Sequence, residues 1–245
     1  MSAPGLVLIH GGAHGAWCWD KVLPLLEHEV CVVDLPGRPN RPDVLGQLTL
    51  DDFADSVVAD VNAAALHRVV LVGHSMAGLT VPGVMDRLGK RVVGVVLVSC
   101  LVPEPGGAAI DLVPQPLRGY LRRRFARAID DPADPGLTIP RRLAKRLFYN
   151  DMSASAARPY LDRLCADAPR VFFEPATLPM ARRGVPITWV RLARDKAVTP
   201  RTQDRLIARL GADVREIDSG HSPMINHPAE VAAILDESAR KCSAP

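Results

Sequence analysis

Six short aliphatic runs, almost free of polar alternation, constrain this 245-residue chain more than any other feature. They are Leu6–Ile9, Val30–Asp34, Val69–Val72, Val92–Val98, Ile187–Leu192 and Val214–Ile217. A strand with one wet face alternates apolar and polar side chains, whereas a strand covered on both faces reads as an unbroken Val/Ile/Leu run. Strands of the second kind pair in parallel, and parallel neighbours need crossover connections, usually helices. The intervening segments supply them. Leu48–Leu66 opens with Thr49 and Asp51, then places Phe53, Val57, Val58 and Val61 at helical spacing; Thr202–Leu210 and Ala229–Leu235 fit short amphipathic helices. The expected fold class is a mostly parallel, doubly wound α/β sheet.

One stretch breaks the rhythm. From Pro103 to Gly184 no strand is legible, and helical patterns take over at Leu117–Ile129, Arg141–Tyr149 and Ala154–Cys165, with Pro-rich joints between them. A stretch of this length is too long to be a crossover loop in a compact domain. The expected organisation is therefore one core made of residues 1–102 and 185–245, with residues 103–184 inserted as a helical cap rather than an independent domain.

Composition matters mainly for what it excludes. Hydrophobic residues make up 48% of the chain and charged residues 23%, the balance of an ordinary globular protein. The formal net charge of +3 comes with no recognisable nucleic-acid module, so no nucleic-acid partner is expected. Five widely spaced cysteines without a C-x-x-C pair suggest neither a zinc site nor a disulfide framework. With no basic leader and no apolar run long enough to cross a bilayer, the expectation is a cytoplasmic protein free of membranes. Oligomeric state is left open.

Chemistry enters at Gly73-His74-Ser75-Met76-Ala77-Gly78, where a buried strand runs through small residues into a helical pattern near Ala77. A Gly-x-Ser-x-Gly elbow in that context pushes the serine hydroxyl out over the sheet edge. Here Ala77 takes the last small position, with Gly78 after it. The plain alternative is a structural turn in which Ser75 only caps the helix. A second signal is His10-Gly11-Gly12-Ala13-His14-Gly15-Ala16-Trp17, directly after the first strand. Backbone N–H groups aimed at a developing oxyanion supply much of acyl-transfer catalysis, and Gly12 N–H and Met76 N–H are the candidate donors. Neither phosphate-binding glycine pattern is present, which leaves a structural turn as the rival.

A serine hydroxyl needs a base, and the base an orienting carboxylate. Of seven histidines, His221 follows the last strand, in Asp218-Ser219-Gly220-His221, at the same sheet edge as Ser75. His28 and His67 read as surface helix ends, and His227 as part of the last helix start. Asp195 ends the fifth run at the correct edge. Asp218 sits too close in sequence to reach the far ring nitrogen, Asp34 reads as a salt-bridge acid, and Ser99-Cys100 after the fourth run offers no acid. The candidate catalytic set is Ser75, Asp195 and His221.

The order Ser, Asp, His, each after its own strand, resembles the α/β-hydrolase superfamily. In that pattern the helical insertion follows the sixth family strand, where these enzymes carry their cap. The His10–Trp19 segment and the cap residues Leu147-Phe148-Tyr149-Asn150-Asp151 resemble the plant methylesterase and hydroxynitrile lyase branch. That resemblance implies cofactor-free chemistry on small-molecule esters or cyanohydrins under a helical lid. The lyases typically carry a threonine after the first histidine and a lysine after the catalytic one. Here those positions hold Gly11 and Ser222, which favours a carboxylesterase over a lyase.

Trp17, Tyr120, Phe125 and Phe148 are candidate substrate-lining residues, although most apolar cap residues should pack the cap itself. The arginines around Arg118–Arg127 and Arg141–Arg146 suggest either an anionic substrate or carrier or, more ordinarily, a solvated helix face. Rival functions remain a lyase, a lactone or C–C bond hydrolase of secondary metabolism, and a non-catalytic binder that kept the pocket.

Overall fold

The computed structural model describes residues 3–113, 115, 118–123, 136–181 and 184–243. Its strands are β1 (Gly5–Ile9), β2 (Val30–Val33), β3 (Val69–His74), β4 (Val92–Val98), β5 (Ile187–Leu192) and β6 (Asp213–Ile217). They form one sheet in the order β2-β1-β3-β4-β5-β6, and every pair is parallel. The helices are α1 (Leu50–Ala63), α2 (Ala77–Leu88), α3 (Arg141–Phe148), α4 (Ala154–Leu161), α5 (Pro200–Leu210), α6 (Pro223–Asn226) and α7 (Pro228–Lys241).

The unbroken apolar runs have the expected physical cause. Alternate strand residues point to opposite faces, and in the central strands β1, β3 and β4 both faces are dry. β6 at the sheet edge departs from the expectation, with Asp213, Val214 and Glu216 exposed and only Ile217 buried. Val7, Ile9, Val69, Leu71 and Leu97 pack against Phe53, Val57 and Val61 of α1, Val84 and Met85 of α2 and Leu206 of α5. Leu6, Leu8, Val70, Val72, Val96 and Val190 pack the other way, against Val231, Leu235 and Ala239 of α7 and against Trp19, Ala144, Phe148 and Tyr149.

Helix ends largely follow their caps. Thr49 Oγ1 accepts from Asp52 N–H while the Asp52 carboxylate accepts from Thr49 N–H, so the α1 capping box uses Asp52, and Asp51 instead pairs with Arg87. Gly211 ends α5 in the left-handed region. Between β4 and β5 the described residues hold α3, α4, a helical run at 118–123 and a single antiparallel bridge, Leu137 with Asp167. Most of the expected Leu117–Ile129 helix lies outside the described residues, and α4 stops at Leu161, short of Cys165.

Strand order locates the chemistry. The chain leaves β1 for β2 on one side and then crosses to β3 on the other, so the switch point lies between β1 and β3. Ligands of open α/β sheets bind at such a point, beyond the strands' carboxyl ends. Because Ile9 pairs with Gly73, the loop from His10 leaves the sheet beside Ser75.

Candidate active site

Ser75 sits at the tip of the β3–α2 turn with φ +54, left-handed backbone that a non-glycine residue adopts only under constraint. The constraint is local. Ser75 N–H donates to Val98 O at 3.1 Å, and Ser75 O accepts from Gly78 N–H at 3.2 Å and Leu101 N–H at 2.9 Å. A Cβ at Gly78 would lie 2.4 Å from Leu101 O, so the small residue this turn requires is Gly78, one place beyond the motif's usual last position.

His221 and Asp195 complete a hydrogen-bonded chain with Ser75. His221 Nδ1 lies 2.7 Å from Asp195 Oδ2 and His221 Nε2 lies 2.9 Å from Ser75 Oγ. A carboxylate oxygen can only accept, so Nδ1 carries the proton, and the Nε2 lone pair faces the serine hydroxyl. Asp195 receives three further donors: Ser99 Oγ–H into Oδ2 at 2.6 Å, and Ala197 N–H and Val198 N–H into Oδ1 at 2.7 and 3.0 Å. All three side chains are buried or nearly so. Ser99 escaped sequence reasoning, which sought an acid at that strand end; a hydroxyl at the carboxyl rim of β4, between β3 and β5, was the usable signal.

The glycine-rich loop is tied down group by group. Ala13, with φ +58, donates its N–H to Asp167 Oδ2 at 2.5 Å, and its carbonyl accepts from Cys165 N–H. His14 O accepts from Arg38 Nε, and Arg38 pairs with Asp167 at 2.5 Å in full burial. His14 Nδ1–H donates to Gly12 O, leaving Nε2 to accept from Tyr149 O–H at 2.9 Å. A Cβ at Gly11 would lie 2.8 Å from that of Ser75, and one at Gly12 would lie 2.6 Å from Met76 Sδ. This close approach is the reason for both glycines. The N–H groups of Gly12 and Met76 are engaged by no other described residue.

Three further histidines lie near Ser75, His221 and Asp195, and their backbone partners set their tautomers. His10 Nδ1–H donates to Gly11 O while Nε2 accepts from Leu35 N–H; His74 Nε2–H donates to His221 O at 2.8 Å. Burial pushes His10 and His74 well below the ordinary value of 6.5 and His14 down to about 4. Arg38 near His10 and His221 near His74 add to the effect.

Other expected roles divide. Phe148 stacks on the His221 ring at 5.5 Å. Trp17 lies between His14 and Tyr160, with the Arg163 guanidinium 4.7 Å above it, so its faces are engaged in joining the loop to the insertion. Tyr120 is 52% exposed, and Phe125 lies outside the described residues. Asp34 accepts from Ala16 N–H and Asn40 Nδ2, bracing the loop; its Oδ1 also lies 3.8 Å from His10 Nε2, a ring that burial holds neutral, and the buried ion pair nearby is Arg38–Asp167. His28 is no surface helix end either, because its Nδ1 meets Asp236 of α7 at 2.8 Å. Among the described residues no cluster of His, Cys, Asp or Glu could hold a metal ion. No described helix is long and apolar enough to cross a membrane.

Comparison with known proteins agrees with this architecture. The chain is 30% identical over 257 aligned residues to norfluorocurarine synthase 2 of Strychnos sp, covering 96% of this chain and 95% of the relative. It is 28% identical to polyneuridine aldehyde esterase of Rauvolfia serpentina, covering 94% and 93%. An extracellular alpha/beta-hydrolase from a Paenibacillus species superimposes with a TM-score of 0.83 over 97% of this chain and 99% of its own, at 21% identity, a likeness of fold. The alpha/beta hydrolase family model matches residues 6–234, and with a parallel sheet, a strained serine elbow and a switch-point site already in place, the chain belongs to that family.

Proposed function

We propose that this protein is a serine esterase that cleaves small-molecule carboxylic esters through an acyl-enzyme, with residues 103–184 as its cap. The observation that carries this reading is the unbroken chain from Asp195 Oδ2 through His221 to Ser75 Oγ, at 2.7 and 2.9 Å. Ser75 attacks the ester carbonyl as His221 Nε2 takes its proton. The same nitrogen then protonates the departing alcohol and activates the water that releases the acid. Asp195 holds the tautomer and stabilises the imidazolium. Gly12 and Met76 N–H receive the oxyanion.

Relatives named as esterases support the reaction class, among them polyneuridine aldehyde esterase and methylesterase 9 of Arabidopsis thaliana, the latter matched over 40% of this chain. Two positions separate ester cleavage from the lyase alternative. A side chain at Gly11 would strike Ser75 and His74, and Ser222 is fully buried and uncharged, so it offers a leaving anion no cation. Both features favour hydrolysis.

A chromogenic ester panel of graded acyl length, run beside cyanohydrin and lactone panels with Ser75→Ala as control, tests the proposal. Ester turnover that vanishes with Ser75→Ala, together with labelling of the wild type by a fluorophosphonate, is the expected result. Undiminished turnover by folded Ser75→Ala, or cyanide release outpacing ester cleavage, would overturn it.

A further inference from the structure

The imidazole loop must cross more of the sheet than any other part of the site. β6 lies three strands from β3, roughly 14 Å at ordinary strand spacing. His221 therefore has to be carried back over the rims of β5 and β4 before it can meet Ser75. Hydrogen bonds from the core supply part of the support. His74 Nε2–H holds His221 O, and Arg194 N–H holds Ser219 O at 2.9 Å. Among the described residues, the side-chain grip on the middle of the loop comes from the insertion.

Four consecutive residues at the carboxyl end of α3 each grasp a different part of the site. Phe148 stacks on the imidazole. Tyr149 donates to His14. Asn150 Nδ2 donates to Arg194 O at 2.9 Å, one residue before Asp195. Asp151 Oδ2 accepts from Gly220 N–H at 2.6 Å and Ser219 Oγ at 3.3 Å, while its Oδ1 accepts from Asn226 Nδ2 at 3.0 Å. Turn and loop meet without clearance: a Cβ at Gly220 would lie 2.6 Å from Asn150 Oδ1 and 2.7 Å from Asp151 Oδ1.

We propose that the Phe148–Asp151 turn positions the catalytic base, with Asp151 as its principal residue. Asp151 fixes the Ser219–Gly220 peptide so that the next residue's imidazole reaches Ser75, and Asn150 fixes the chain entering Asp195. Seating of the insertion is then a condition for turnover as well as a wall for substrate. The inference rests on the assignment of Ser75, His221 and Asp195 as the triad.

Asp151→Ala and Asp151→Asn are compared for kcat, KM, fluorophosphonate labelling rate and the far-downfield proton resonance of His221 Nδ1–H. Misplacing a reacting group by an ångström costs about 10²-fold. Asp151→Ala should therefore lose kcat and labelling rate by about that factor, leave KM nearly unchanged, and broaden the downfield resonance. Asp151→Asn keeps an oxygen for Gly220 N–H and should restore most of the rate and the resonance. Asn150→Ala, with a smaller loss of kcat, serves if Asp151→Ala does not fold. Wild-type kcat in folded Asp151→Ala or Asn150→Ala, or a rise confined to KM, would overturn the proposal. A wild-type protein that is neither labelled nor slowed by Ser75→Ala would instead overturn the triad itself.

Discussion

Ser75 and His221 reach the same point by opposite means. The elbow after β3 is held by its own backbone: Ser75 is pinned through its N–H and carbonyl to Val98, Gly78 and Leu101, all within 26 residues. The loop after β6 is held at Ser219 and Gly220 by the side chain of Asp151, about 70 positions away in sequence, while Asn150 holds Arg194 O in the loop after β5. A tight strand–helix junction can strain one residue without outside help, because strand pairing and helix packing already over-determine it. A loop that must span neighbouring strands has no such local frame and borrows one from an inserted segment.

The largest test of this contrast removes the reacting group on each side. Ser75→Ala should lower kcat by about 10⁶-fold and Asp195→Asn by about 10⁴-fold, both in folded protein. Steady-state kinetics against one activated ester measures both, and an Asp195→Asn loss below tenfold would show that His221 does not depend on this carboxylate.

Next in size is the response to acid. His14 is neutral when buried, with its pKa lowered to about 4 from 6.5, so the unfolded chain binds more protons between those values. Stability is therefore complete above about pH 6.5 and falls by about 3 kcal/mol from His14 alone as the pH drops to about 4. His10 and His74 act in the same direction, while Asp167, pushed up by burial, opposes them. Urea unfolding at pH 7, 6 and 5 should show the decline, and His14→Gln should make it shallower without abolishing it. Equal pH slopes in both proteins would show that His14 is not the group responsible.

Smaller still is the expected cost of Gly78→Ala. Its methyl would meet Leu101 O at 2.4 Å, and overpacking of this kind costs about 1–3 kcal/mol. The elbow variant should lower the thermal midpoint more than Asp151→Ala does; the reverse order would mean that the junction has room to relax. Ser99→Ala ends the series. It deletes one of four donors to Asp195, and the loss of about 1 kcal/mol should appear as a several-fold fall in kcat/KM. No change would reduce Ser99 to a packing residue.

The same contrast explains how much could be read in advance. Val69–Val72 and the small residues after it make an elbow by themselves, so strand, turn and Ser75 stand together in the ten consecutive letters from Val69 to Gly78. The helices Arg141–Phe148 and Ala154–Leu161 could be recognised from their periodicity. Their partners could not, because Phe148 or Asp151 in a helical pattern looks the same whether it meets an imidazole loop or solvent. For that reason the sequence does not show that Tyr120 is half exposed, nor that Tyr149, legible only as part of a motif, bonds to His14. The part expected of Asp34 fell to Asp167 for the same reason. An acid at a strand end looks ready for a salt bridge, yet the buried arginine took its partner from more than 120 residues away.

From its sequence alone this chain determined a parallel sheet, the order of its strands' endings and the residue types presented there, because burial on both faces and tight turns leave local marks in composition. Only the tertiary structure decided that Ser99 would donate to Asp195, that Arg38 and Asp167 would lock the glycine-rich loop, and that Asp151 would accept from Ser219 and Gly220. Those contacts join side chains distant in sequence. Their hydrogen bonds depend on ångström-scale placement, and side-chain periodicity carries no record of that.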